Sequence, residues 1–284
     1  MKLRLVAGIA APAYAGRLRN VHSQYGEDGL LEYVLEHLPD CPRYFVEFGA
    51  WDGLHLSNCA RLAAQGWAGC FIEGEPDRAR DAERNYAQVL GVTVKAVFVT
   101  PTGEQALDRL LSDTACPREF GVLSIDIDGN DYHVWQHLRE YRPFVCVVEF
   151  NPTIPVQVDF VQAADPAVHQ GASLTALHRL AREKAYVLAG ATEVNAVFVR
   201  SDVAAAAGLP HYEPVQVKTT TFETYVFHGY DGTVHVEGYP ELVWHGVPIR
   251  PEAWQLLPPE LRRFPIGQAD EYYWALSRLK EGSA

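Results

Sequence analysis

The sequence predicts an α/β fold, with one open and mostly parallel sheet, helices on both of its faces, and a C-terminal appendage containing a β-hairpin. Three observations predict it. Strand-like and helical patterns alternate from about residue 27 to about residue 200, and strands separated by helices pair in parallel through right-handed crossovers. The apolar runs end on acids, at Glu47, Glu73, Asp126 and Glu149, where the carboxyl edge of such a sheet receives its ligands. From about residue 203 the chain turns to Thr, Tyr, His, Trp and Pro, and the alternation stops.

The elements follow in order. Glu27 to Leu38 carries Leu30, Leu31, Val34, Leu35 and Leu38 on one face, the period of an amphipathic helix. Tyr44 to Phe48 reads as a strand, Leu56 to Gln65 as a helix and Gly69 to Glu73 as a second strand. The next helix opens at Pro76, a residue favoured in a first turn. Val92 to Val99 is β-branched and strand-like, Gln105 to Leu111 is a short helix, and Gly121 to Asp126 is a strand. Asp131 to Glu140 is helical, Phe144 to Phe150 a strand and Leu174 to Lys184 a helix, with Val187–Leu188 and Ala196–Val199 as closing strands. Tyr230-Asp231-Gly232-Thr233 is a turn between Thr221–His228 and Val234–Val236, a hairpin pattern. The expected division is a domain over 1–202, with an N-terminal extension over 1–21, and an appendage over 203–284 serving as a lid or as an acceptor or oligomer contact.

Composition narrows the partners. Apolar residues make up 48% of 284, enough for a sizeable core. With 24 basic and 36 acidic residues the formal charge is −12, a field that disfavours nucleic acid and anionic membranes. A small-molecule acceptor is the expected partner, and homo-oligomerisation is left open. Five scattered cysteines without a CxxC pair argue against a zinc site or a disulfide framework and fit the reducing cytoplasm. The segment from Met1 through Ala15 has the outline of a short signal peptide, but its apolar stretch is brief and broken by Pro12. The cytoplasm is therefore the expected location.

Four strand ends carry the chemistry. Val46-Glu47-Phe48-Gly49-Ala50-Trp51-Asp52-Gly53 is a strand running into a two-glycine turn, where backbone can approach a ligand closely. The dinucleotide fingerprint is absent, and Trp51 and Asp52 suit a pyrophosphate poorly. Glu47 and Asp52 suit a ligand with positive charge, an ammonium or a sulfonium. In Cys70-Phe71-Ile72-Glu73-Gly74-Glu75-Pro76, Glu73 ends the second strand where an acid accepts the hydroxyls of an adenosine ribose, with Gly74 leaving room for the base. Glu75 is placed to face the N-terminus of the helix that follows. Asp126 and Asp128 of Ser124-Ile125-Asp126-Ile127-Asp128-Gly129-Asn130-Asp131, with Glu149 and Asn151 of the neighbouring strand end, bring oxygen ligands to one crevice. Carboxylates this close repel unless a cation or a proton lies between them, and an oxygen-only set suits Mg²⁺ or Mn²⁺. The alternative is that Asp126 touches only the cofactor and the others bond to loops. Asp126 and Asp128 are candidate catalytic residues, with His133 and His55 as candidate bases near strand carboxyl ends.

These motifs, with Ser23-Gln24-Tyr25-Gly26-Glu27-Asp28 ahead of the first helix, resemble class I S-adenosylmethionine-dependent methyltransferases of the FkbM-like group. That group shows a Ser-Gln-x-Gly-Glu-Asp segment, a Gly-Ala-x-x-Gly turn, an acidic second strand end and an Ile-Asp-x-(Asp/Glu)-Gly motif, in this order. The resemblance covers about residues 22–152 and implies a Rossmann-like sheet of seven strands and O-methylation of a sugar or secondary metabolite. It implies cofactor contacts at Gln24, Asp28, Glu47, Gly49, Gly53, Glu73 and Asp126, to which the turn adds Ala50 and Asp52. Asp128-Gly129-Asn130-Asp131 stands where Glu-Gly-Ala-Glu is usual, and the long C-terminal segment is unlike the minimal members. Two rival readings are an NAD-dependent oxidoreductase on the same architecture and a non-catalytic binding protein that kept the sheet.

Overall fold

The structure is a computed structural model and describes residues 11–263 and 270–281; the start of the signal-like segment lies outside them. The chain divides into two compact units, one ending at Thr220 and one beginning at Thr221.

The first unit holds a seven-stranded sheet in the order β3-β2-β1-β4-β5-β7-β6. Its strands are β1 (Tyr44–Phe48), β2 (Ala68–Glu73), β3 (Val92–Ala96), β4 (Val122–Ile125), β5 (Val145–Glu149), β6 (Tyr186–Ala191) and β7 (Asn195–Arg200). β1 to β5 are parallel, while β7 runs antiparallel to both β5 and β6. The helices are α1 (Glu27–Glu36), α2 (Ala60–Ala64), α3 (Pro76–Tyr86), α4 (Leu107–Ser112), α5 (Asp131–His137), α6 (Leu174–Glu183), α7 (Ser201–Ala207) and α8 (Pro214–Val217). This is the α/β sheet that the alternating patterns predict, and its seven strands and Rossmann-like form are those the resemblance implies. β1, β4 and all but the last residue of β5 are buried, which is why they read as continuous apolar runs rather than alternating ones. The order reverses between β1 and β4, so the crevice for a ligand opens beyond their carboxyl ends.

Three boundaries differ from expectation, each for a local reason. The helix predicted over Leu56 to Gln65 begins only at Ala60. Leu56 has φ +56°, and the Glu47 carboxylate draws the backbone N–H groups of Asn58 and Cys59 out of helical pairing. α5 ends at His137 rather than Glu140, where Asp108 accepts the N–H groups of Arg139 and Glu140. The unit boundary falls after Thr220 rather than at 202, because 203–220 belongs to the sheet's own packing. Leu209 and Val217 are buried, and the Tyr212 N–H donates to the Leu188 carbonyl of β6 at 2.9 Å.

The second unit contains the predicted hairpin, β8 (Thr224–His228) against β9 (Val234–Gly238), antiparallel. Asp231 shapes its turn by accepting both the N–H and the hydroxyl of Thr233, each at 2.9 Å. A short ladder of β10 (Glu241–Leu242) and β11 (Val247–Pro248) and a helix, α9 (Asp270–Glu281), complete the unit. No helix among the described residues is long and apolar enough to cross a membrane.

Candidate functional site

The turn after β1 and the end of β2 form one rim. Gly49 has φ +71°, and a Cβ there would lie 1.6 Å from the Asp126 carbonyl oxygen, so only glycine lets β1 and β4 close on each other at this point. Trp51 follows with φ +51° and donates its N–H to Glu73 Oε2 at 2.7 Å. Glu75 N–H donates to Glu73 Oε1, also at 2.7 Å. Each oxygen of this buried carboxylate has thus accepted one bond and keeps a lone pair for another. Asp52 shapes the turn, with Oδ1 accepting from Leu54 N–H and His55 N–H. The space expected over Gly74 is filled: a Cβ there would meet the ring of Phe98 at 2.2 Å, and Phe98 is itself 65% exposed. Arg78 stacks on the Trp51 ring, 4.1 Å from its centroid.

Two residues expected to hold the cofactor have structural tasks. Glu47 accepts from the Ser57 hydroxyl at 2.6 Å, Asn58 N–H at 2.8 Å and Cys59 N–H at 3.2 Å, so its carboxylate caps the entry to α2. Its burial raises its pKa from 4.5 to about 7, the three donors opposing the rise. Asp28 Oδ2 accepts the N–H groups of Val21, His22 and Ser23 and the Ser23 hydroxyl, a carboxylate clamp on the segment ahead of α1. Glu27 joins α1 to the β6–β7 turn, accepting from Thr192 and Asn195. The Ser-Gln-x-Gly-Glu-Asp segment therefore folds the start of the domain, and Gln24 is left exposed beside it. Ala50 is buried, its N–H donating to the Ile72 carbonyl at 3.3 Å. The Gly53 carbonyl accepts the Tyr86 hydroxyl at 2.7 Å.

The acids on β4 and β5 do meet. Ile125 pairs with Val148, so Asp126 and Glu149 leave the sheet side by side. Asp126, Asp128 and Glu149 each offer an oxygen within 4.8 Å of the others. Burial first, and then the neighbouring acids Asp131, Asp128 and Glu47, push Asp126 well above the carboxylate range. Burial and then Asp126, Asp131 and Asp128 do the same to Glu149. A proton or a cation between them is what this repulsion calls for. Asp131, which sequence reasoning left out, shapes the turn by accepting the N–H groups of Ile127 and Gly129 at 2.8 and 2.9 Å. Asn151 bonds to the loop that follows it. Its Oδ1 accepts from the N–H and hydroxyl of Thr153 and its amide donates to the Gln170 carbonyl, so the fourth ligand inferred from spacing is used to build the loop after β5.

Of the two candidate bases, His133 donates through Nε2 to the Gln162 carbonyl at 2.9 Å and anchors that loop. His55 lies exposed in the turn after β1. Tyr132, beside His133 in α5, is buried with its hydroxyl accepting from Arg179 at 3.2 Å.

No family model matches the chain, and no curated protein does. Solved structures do. The N-terminal domain of EvdMO1, solved in the presence of SAH and D-fucose, is 11% identical over 61% of this chain and 82% of that one, with a TM-score of 0.42. A Galdieria sulphuraria protein named as a sarcosine dimethylglycine methyltransferase is 14% identical over 57% of this chain and 61% of that one, with a TM-score of 0.38. The CMeT domain of the citrinin polyketide synthase is 12% identical over 60% of this chain and 51% of that one, with a TM-score of 0.39. The chain thus spans less than two thirds of the last two.

Proposed function

We propose that the chain is an S-adenosylmethionine-dependent methyltransferase acting on an oxygen of a small-molecule acceptor, with a divalent cation at the carboxylate group. The observation that carries the reading is the bond from Trp51 N–H to Glu73. It joins the two strand-end motifs into one rim and leaves an acceptor lone pair on each Glu73 oxygen, as a ribose diol requires. Phe98, exposed beside Gly74, supplies an apolar face on which a purine stacks. When bound, S-adenosylmethionine supplies an electrophilic methyl carbon for in-line displacement.

The chain's own residues hold and orient the reactants. Glu73 takes the ribose, Gly49 and Ala50 keep the turn close to the sheet, and Trp51 walls the outer side. Asp126, Asp128 and Glu149 would hold Mg²⁺ or Mn²⁺, and such an ion would supply Lewis acidity toward a hydroxyl of the acceptor. The dinucleotide reading is disfavoured because the turn lacks the third glycine and carries Trp51 and Asp52 in its place.

Calorimetry with S-adenosylmethionine, S-adenosylhomocysteine and NAD tests the proposal. Binding of the first two and not the third is expected, and the reverse refutes it. Titration with Mn²⁺ tests the cation separately. Saturable binding that disappears in Asp126→Asn and Glu149→Gln is expected, and no binding removes the metal from the proposal.

A further inference from the structure

The segment between β5 and α6, residues 150–173, has almost no regular structure, yet side chains fix it throughout. Gln162 is buried, and its Oε1 accepts the N–H groups of Gln170 and Gly171 at 2.8 and 2.7 Å. Its Nε2 donates to the Val168 carbonyl at 2.7 Å and to Asn130 Oδ1 at 3.3 Å. Asn130 returns a bond to the Asp165 carbonyl at 3.1 Å, and His133 holds the Gln162 carbonyl. Further along, Arg179 pairs with Asp159 through two bonds at 3.0 and 3.2 Å. The loop presses directly on the Asp128–Gly129 turn: a Cβ at Gly129 would lie 3.0 Å from the Val168 carbonyl oxygen. Asn130, where the chain departs from the resembling group, is thus the residue that docks this loop. Long irregular segments that are nevertheless ordered are commonly functional.

The docking brings one exposed imidazole to the rim of the carboxylate group. His169 Nδ1 lies 3.3 Å from the backbone carbonyl oxygen of Asp128. A carbonyl only accepts, so Nδ1 carries a proton, and in the neutral ring the other nitrogen, Nε2, is left as a hydrogen-bond acceptor. Aspartate and glutamate oxygens also accept, but at this site they face one another and a cation or proton. Nε2 of His169 adds a nitrogen acceptor on a residue that touches the Asp128 backbone.

We infer that His169 is a specificity residue for the methyl acceptor: its Nε2 accepts a hydrogen bond from a hydroxyl of a polyhydroxylated or phenolic small molecule held over Asp126, Asp128 and Glu149. The inference rests on the methyltransferase reading and assigns acceptor recognition to the loop after β5, within the first unit. His169→Asn keeps a donor to the Asp128 carbonyl while deleting the second nitrogen, and the residue is exposed, so the fold is expected to stand.

The test uses the full chain labelled with ¹⁵N in histidine, at pH 8, with S-adenosylhomocysteine present. Catechol and methyl α-D-glucopyranoside serve as hydroxylic probes. Long-range ¹H–¹⁵N correlation is expected to show one imidazole, absent from His169→Asn, with Nδ1 protonated and Nε2 bare. Gln162→Ala should weaken that tautomer preference. At least one probe should shift the bare nitrogen, and its affinity should fall roughly 3- to 10-fold in His169→Asn, the value of one ordinary hydrogen bond, with S-adenosylhomocysteine affinity unchanged. A protonated Nε2, or binding of S-adenosylhomocysteine while neither probe moves the resonance, overturns the role of His169. Failure of S-adenosylhomocysteine to bind overturns the methyltransferase reading itself, and the inference with it.

Discussion

Replacing Glu73 by alanine separates the proposed cofactor rim from an ordinary strand-to-helix turn. The carboxylate accepts the N–H groups of Trp51 and Glu75, both at 2.7 Å, and retains two lone pairs for the ligand. Hydrogen bonds to a charged acceptor contribute about 1.5–3 kcal/mol each. Two ribose hydroxyls at the low end therefore come to about 3 kcal/mol, or roughly 100-fold in affinity at 1.4 kcal/mol per decade. The two backbone donors also lose their acceptor. Trp51 is 46% exposed, so water replaces part of that loss, and the folding cost should stay near 1–2 kcal/mol. Glu73→Gln keeps one acceptor oxygen and is expected to lose about tenfold in affinity, by the same arithmetic. The assay is isothermal titration with S-adenosylhomocysteine, paired with urea denaturation to show that the variants are folded. A folded Glu73→Ala that binds within threefold of the unaltered chain refutes the reasoning, because the rim would then not hold the ribose.

Three further outcomes follow from the geometry. Glu47 has its pKa raised from 4.5 to about 7 by burial, so the folded state holds its proton more tightly than the unfolded one. That stability is complete below pH 4.5 and is lost as the pH rises to about 7; at 1.36 kcal/mol per unit the loss is about 3 kcal/mol. The difference in unfolding free energy between the unaltered chain and Glu47→Gln should fall by that amount from pH 4 to pH 8, and a flat difference would contradict it. Gly49→Ala forces a Cβ to within 1.6 Å of the Asp126 carbonyl oxygen at φ +71° and should destabilise by roughly 3–5 kcal/mol, read as a lowered urea midpoint. Gln162→Ala removes the centre of the loop after β5, and its cleavage by a broad-specificity protease should quicken about tenfold while the melting of the sheet changes little. Unchanged cleavage would show that the remaining contacts suffice.

Much of the architecture could be read before any coordinates. Alternating helix and strand periods determined the parallel sheet, because a buried strand and an amphipathic helix leave different apolar patterns in sequence. The acids at or near the ends of β1, β2, β4 and β5 marked the candidate functional edge, since a charge tolerated at the end of a buried strand must face a crevice or a partner. What each acid does was decided only by tertiary packing. Glu47 and Glu73 lie near the carboxyl ends of neighbouring strands, yet Glu47 caps α2 through Ser57, Asn58 and Cys59, while Glu73 spans two loops and keeps lone pairs to offer. Asp28 and Asn151 likewise turn back on their own backbone. Short polar side chains find backbone donors whose positions depend on local turns, and spacing in sequence does not specify those turns. The same holds for His169, which lies 41 residues from Asp128 along the chain and meets it through a loop fastened by Gln162 and Asn130. Periodicity reports which face of an element is apolar, whereas a hydrogen-bond partner depends on where another segment comes to rest.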